Sequence, residues 1–284
     1  MGPSRLERVL ALLVTVLLLL IIFLPIAWMV ISSVSPREEL LATPPHWIPQ
    51  RLDLSNYQDI LVPGEQASDV ALTFRTALVN SIQVASLVTI IGLLLAIPAA
   101  YALSRIPMPG GRVTMTAILA TRMLPAIATV IPLYLMAATL GLMDTKAVLV
   151  ILYLSFVLPF NVWILTGFFS TIPREIEEAA RIDGAGRMRV LRSVILPLSR
   201  PGIAATAIYS FLLAWDEFFF PLIFTSTREA KMVPVAISEF TGRHAVDFGA
   251  MATGGVLAAI PVVIVALVFN RLIVSGLTAG AVKE

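Results

Sequence analysis

The sequence predicts an all-α membrane protein: six transmembrane helices, with a polar helix pair inserted between the fourth and the fifth. Of its 284 residues, 58% are hydrophobic and only 13% are charged, about half the charged fraction of a soluble domain. The apolar residues give a mean hydropathy of +0.92. They fall into charge-poor runs at least as long as the ~20 residues a helix needs to cross a bilayer. One long polar stretch, residues 173–201, interrupts them late in the chain and reads helix, turn, helix.

Composition also narrows the function classes. Cysteine is absent, so disulfides, thiolate metal sites and cysteine nucleophiles are excluded. The two histidines, His46 and His244, stand alone in polar loops, which argues against a metal centre. The formal net charge of +2 gives no reason to invoke nucleic acid. No G-x-x-x-x-G-K-[ST] segment occurs, so any ATP and Mg would have to be bound by a separate subunit and no cofactor is expected in this chain. Neither a His-Glu-x-x-His site nor a nucleophile–base pair is present, so an enzyme is not expected.

Residues 9–36 carry no charge, and a first helix is expected over Val9 to Ser32. Arg5 and Arg8 before an apolar run also suit a signal peptide. The run exceeds the ~7–15 residues of a signal core and no small-residue cleavage site follows, so an uncleaved helix is expected. Ser35 to Arg75 is polar and bears Pro36, Pro44, Pro45, Pro49 and Pro63. Short surface helices are expected there, one of them near Leu54 to Leu61. Thr76 to Ser104 is the second span, Arg105 to Arg112 a tight turn, and Val113 to Met136 the third span, interrupted by Arg122. After a connection from Gly141 to Lys146, Ala147 to Phe169 makes the fourth. Ile203 to Thr225 is the fifth and contains Asp216 and Glu217; Gly249 to Asn270 is the sixth. The tail, 271–284, has Gly276 and Gly280 among small residues and reads as a non-helical strip. The division expected is a first helix with its loop, 1–76, and a five-helix core, 77–284.

Within the polar stretch, Pro173 suits a first helical position. Glu175, Glu177 and Glu178 then lie where the helix dipole favours anions. Glu177 and Arg181 are spaced for a pair on one face, and Gly184 is placed to close the helix in the left-handed conformation. A second helix with Arg187, Arg189 and Arg192 is expected to end at Pro197. A basic helix pair of this kind also suits the surface of an anionic membrane.

The exact wording adds to this. Glu178-Ala179-Ala180, then Gly184, then Val194-Ile195-Leu196-Pro197 resembles the EAA loop of ABC importer permeases. EAARIDGA followed by VILPLSRPG is similar to the carbohydrate branch, with Leu191 where the family usually has Phe. Asn80 to Arg112 resembles the same branch, with Met108 at a common Phe position, and so does SFLLAWDEFFFPL in the fifth span. The tail, NRLIVSGLTAGAVKE, resembles the end of the second permease subunit of maltose-type importers. The resemblance implies a type I ABC importer permease of MetI-like fold, forming part of a sugar pathway. It implies contact with an ATP-binding subunit dimer through Glu178, Ala179, Ala180, Asp183, Gly184, Leu196 and Pro197. Gly276, Leu277, Thr278 and Gly280 in the tail would make a further contact. A second homologous permease, an extracytoplasmic solute-binding protein, a sugar and a lipid bilayer complete the implied partners.

Loop charge predicts orientation. With the amino terminus inside, inner segments hold 12 Lys and Arg and outer segments seven, while acids divide six inside and ten outside. Both termini and the EAA-like loop are thus expected in the cytoplasm; the resemblance implies the inner membrane of a bacterial or archaeal cell.

Arg122, Asp216 and Glu217 are costly in a span and need a partner or a wet cavity. Arg122 falls about 14 Å along its helix, at 1.5 Å per residue, and Asp216 near the midplane. Two readings stand: an Arg122–Asp216 ion pair, favoured because Glu217 offers a second acid to the cavity, or a transport path lined by these residues and Trp215. Asn80, Gln83 and Asn161 are further candidates for the path, or else hydrogen bonds between helices. An ion-coupled secondary transporter using Arg122, Asp216 and Glu217 is the rival function, and it leaves the EAA-like loop unexplained.

Overall fold

The computed structural model describes residues 4–44, 46–62, 68–107, 109–241 and 247–281. Two compact units form, one from Met1–Arg75 with Ala236–Ile260 and one from Thr76–Val235 with Pro261–Glu284. Helix α1 (Arg5–Ser33) begins a turn earlier than its apolar run. The reason is a capping box, in which Ser4 Oγ accepts from the Glu7 N–H and the Glu7 carboxylate accepts from the Ser4 N–H. Helix α2 (Arg37–Leu40) and helix α3 (Ser55–Leu61) follow, α3 where the sequence places a surface helix. In this first unit, Tyr57 on α3 hydrogen-bonds Ser33 at 2.8 Å, and Thr253 donates to the Ser33 carbonyl at 3.2 Å. Gly255 admits Met29, whose sulfur would lie 2.8 Å from an added Cβ.

Helix α4 (Asp69–Arg105) starts before the second apolar run because Ser68 caps it, its hydroxyl accepting from the Ala71 N–H at 3.1 Å. The third span is two helices, α5 (Gly111–Ala120) and α6 (Ala126–Thr139), bent by 89°. Pro125 explains the break. The residue before a proline is driven out of the helical region, and Leu124 is extended at φ −71°, ψ 123°. Helix α7 (Lys146–Ser170) is the fourth span.

The polar stretch forms α8 (Arg174–Ile182) and α9 (Arg187–Leu198). Pro197 lies one residue before the end of α9 at Leu198, close to where the sequence ends it. A wider π turn at Leu191–Ile195 precedes it, and the Leu196 N–H reaches back to the Leu191 carbonyl. The helix then runs to Leu198 and bends by 79° into α10 (Arg200–Trp215). The fifth span is likewise not continuous. It stops at Asp216 and resumes as α11 (Phe219–Phe224). Helix α12 (Val233–Ser238) and helix α13 (Phe248–Ala281) complete the chain.

The tail is therefore helical as far as Ala281, rather than a non-helical strip. Its glycines each cost about 1 kcal/mol in a helix, and no proline follows Pro261 to stop it. The contacts expected of Gly276, Leu277, Thr278 and Gly280 lie outside the described side chains. Among the described residues, α1, α4, α7 and Phe248–Phe269 are each long and apolar enough to cross a membrane. The bent pairs α5–α6 and α9–α10 bring the spans to six if each is counted as one.

In the second unit a core of Ala96, Ala100, Val162, Leu165, Phe169, Val190 and Ile195 joins α4, α7 and α9. It seats the helix pair at one end of the spans.

Candidate functional site

Helix α8 ends as its sequence requires. Gly184 sits at φ +83°. The Ala185 N–H bonds the Ala180 carbonyl and the Gly184 N–H bonds the Arg181 carbonyl, each at 3.0 Å, a Schellman closure. Glu178, Ala179, Asp183 and Gly184 are exposed, and so is Ile182, at 86%. Ala180 is half-buried against the core. The predicted Glu177–Arg181 pair does not form. Glu177 turns inward, is 4% exposed, and pairs with Arg105. Arg105 also donates to the Phe169 and Ile172 carbonyls at 2.7 and 2.8 Å. In α9, Val190, Leu191 and Ile195 are buried, Leu196 is half-buried in the same core, and Pro197 is exposed. The basic Arg187, Arg189 and Arg192 stay exposed.

A cavity of about 730 Å³ opens among the spans of the second unit and gathers Arg122, Phe156, Tyr209, Trp215, Asp216 and Glu217. Four of the charged and aromatic residues singled out from sequence thus meet in one place. The Arg122–Asp216 ion pair does not form. Among the described residues the ion pairs are Arg51–Glu38 and Arg105–Glu177. The break at Pro125 leaves Arg122 in a terminal 3₁₀ turn, where its guanidinium lies 5.5 Å from the Phe156 ring centroid, a cation–π distance. Asp216 caps the end of α10 and is exposed. Glu217 accepts from the Phe219 and Phe220 N–H groups at 3.2 and 2.9 Å and so starts α11.

Asn80, Gln83 and Asn161 are not brought to this cavity. Lys146 Nζ donates to Gln83 at 2.8 Å and to Asn80 at 3.3 Å. The Asn80 amide in turn donates to the Arg228 and Lys231 carbonyls. Asn161 is fully buried and accepts from Ser210 at 2.9 Å. Polar groups in spans satisfy one another first; Asn80 and Gln83 do so, while the Asn161 Nδ2 is buried without a hydrogen-bond partner among the described residues. Sequence reading missed Phe156, Tyr209 and Arg105. Arg105 had a signal, as the first cation after a charge-free span.

Helices long enough to span, a cavity between them and a polar helix pair held at one end define a membrane transport component. The chain belongs to the family of binding-protein-dependent transport system inner membrane components, whose profile matches residues 89–278, and is a permease subunit of an ABC importer. It is 38% identical to the trehalose/maltose transport system permease protein MalG of Thermococcus litoralis, over 100% of this chain and 99% of that one. It is 37% identical to the trehalose transport system permease protein SugB of Mycobacterium tuberculosis, over 92% of each. Among solved structures, a bacterial ABC transporter involved in the import of the acidic polysaccharide alginate matches with a TM-score of 0.79 and 25% identity, covering 95% of this chain and 99% of that one.

Proposed function

We propose that the chain is one of two related permease subunits of an ATP-driven sugar importer in a bacterial or archaeal inner membrane. The permease core is 77–284, preceded by the first helix and its loop, 1–76. Both termini and the helix pair face the cytoplasm. There an ATP-binding subunit dimer, which holds the ATP and Mg, docks on α8. An extracytoplasmic binding protein delivers the solute to the opposite side. Closure of the ATPase dimer moves α8, and the spans swing between inward- and outward-facing states. The tail, 271–284, makes a further contact with the ATPase through Gly276, Leu277, Thr278 and Gly280.

The observation that carries this reading is the outward face of α8. Glu178, Ala179, Ile182 and Asp183 are exposed there while Glu177 and Ala180 hold the helix to the core. Ile182, left 86% exposed in this polar segment, adds an apolar contact that a docked partner would cover. The cavity suits a neutral sugar: Arg122 can donate hydrogen bonds, Asp216 can accept them, and Phe156, Tyr209 and Trp215 add aromatic lining. The names of the two relatives point to a trehalose- or maltose-type disaccharide as first candidate. Glu217 already serves as the cap of α11, each carboxylate oxygen accepting a backbone N–H, which favours a structural role over an ion relay.

The test is purification of the tagged chain from its native membrane. An ATP-binding subunit should copurify, and trehalose or maltose with the binding protein should stimulate its hydrolysis. A chain that purifies without an ATPase, yet still transports, contradicts the proposal.

A further inference from the structure

We propose that Arg105 is a positioning residue that locks α8 to the transport core, so that a partner pushing on α8 moves α4 and α7 with it. This rests on reading α8 as the coupling helix. Glu177 is the one buried residue of α8, so its pair with Arg105 is that helix's buried polar attachment, beside the half-buried Ala180. Arg105 is the last residue of α4. Its Nη2 donates to the Phe169 and Ile172 carbonyls at 2.7 and 2.8 Å, at the end of α7 where the helix dipole is negative. Its Nε faces the Glu177 carboxylate, and the side chains of both are 5% exposed. One guanidinium thereby joins α4, α7 and α8.

The residue type matters. A guanidinium is planar, with donors in a fixed fork, and serves several acceptors at set angles. An ammonium in the same place is a point charge with rotatable donors and fixes no direction. An apolar anchor would hold α8 near the core but let it slide, because the hydrophobic effect is non-directional. A buried pair is a poor source of net stability; its use here is register.

The native chain has no cysteine, so spin labels can be placed singly. In the complete complex, labels at Arg181→Cys on α8 and Ser170→Cys at the end of α7 report the angle of α8. With Arg105 present they should give one narrow distance, the same with and without nucleotide. Arg105→Lys should broaden that distance and lower solute transported per ATP hydrolysed by about fivefold or more, the low end of a coupling between two sites. Glu177→Gln, which keeps the shape and removes the charge, should do the same. A variant with native distance and native transport per ATP overturns the proposal. If the single variants fail to assemble, Arg105→Met with Glu177→Met removes both buried charges together. A broadened distance in that complex supports the lock, and a narrow one overturns it. The distance needs neither a known sugar nor ATPase stimulation, so it stays readable if the proposed substrate is wrong.

Discussion

Arg122 and Asp216 solve the problem of a charge among apolar spans separately. Arg122 lays its guanidinium over Phe156, and Asp216 opens into the cavity from the end of α10. With no ion pair between them, Arg122→Leu and Asp216→Leu should add in their effect on complex stability within about 0.5 kcal/mol. A coupling well above that, read by melting of the purified complex, would show that the two charges pair in another state of the cycle. Asp216→Asn should assemble at native yield. It should lower transport about tenfold, which is 1.4 kcal/mol, near the ~1.5 kcal/mol of one hydrogen bond to a charged group. Asp144 shows a different residue-scale device. It sits at φ +59° in the link between α6 and α7, and its carboxylate accepts from the Ser226 and Thr227 N–H groups at 2.7 and 3.0 Å. Burial opposes its charge, but these two donors outweigh it and hold the carboxyl below its ordinary value. A lowered folded value gives stability that is complete above the ordinary carboxylate range, about pH 4, and is lost as pH falls through the folded value. The melting temperature of Asp144→Asn should therefore trail the native one at pH 7, and the gap should close in acid. A gap independent of pH would show that Asp144 acts without its charge.

At the scale of elements, Gly184 decides how α8 presents itself. Its φ of +83° is a region that β-branched residues avoid, and no atom lies within 4 Å of an added Cβ. Gly184→Val should thus strain the backbone without a clash. We expect the protein to remain in the membrane while solute-stimulated ATP hydrolysis loses its link to import. Native transport per ATP in that variant would remove the turn from the mechanism. The elements were legible in sequence where one physical rule governs them. Bilayer thickness sets the length of charge-free runs, so α7 ends within one residue of its predicted limits. Helix-start and helix-stop signals, Pro173 and Gly184, likewise placed α8 and its turn. Elements were misjudged where local chemistry competes with that rule. Ser4 and Ser68 start helices before the apolar runs begin, Pro125 and Asp216 break them within, and the tail stays helical in spite of Gly276 and Gly280. The Arg105–Glu177 pair was hidden for another reason. Arg181 offered Glu177 a partner four residues away, and only the tertiary approach of α4 supplies the one it takes.

For the whole molecule, the described structure separates two tasks along the spans. One end carries the exposed face of α8, bolted through Arg105 to α4 and α7. The cavity with Arg122, Trp215, Asp216 and Glu217 lies among α6, α7, α10, α11 and α13. Helix α7 takes part in both, giving Phe156 to the cavity and its Phe169 carbonyl to Arg105, so under the proposed function movement of α8 has a direct route to the cavity. Asn161, midway along α7 and hydrogen-bonded to Ser210 of α10, ties the two cavity-lining helices together. Such a machine draws its work from nucleotide and not from an ion gradient. The decisive measurement is sugar uptake into proteoliposomes holding the complete complex, with ATP inside or absent and with ionophores present. Uptake should require ATP on the side of the helix pair together with the binding protein, and should be indifferent to collapse of the ion gradients. Uptake that persists without ATP and stops when the gradients are collapsed would contradict the ATP-driven mechanism and restore the charged residues of the cavity to an ion relay.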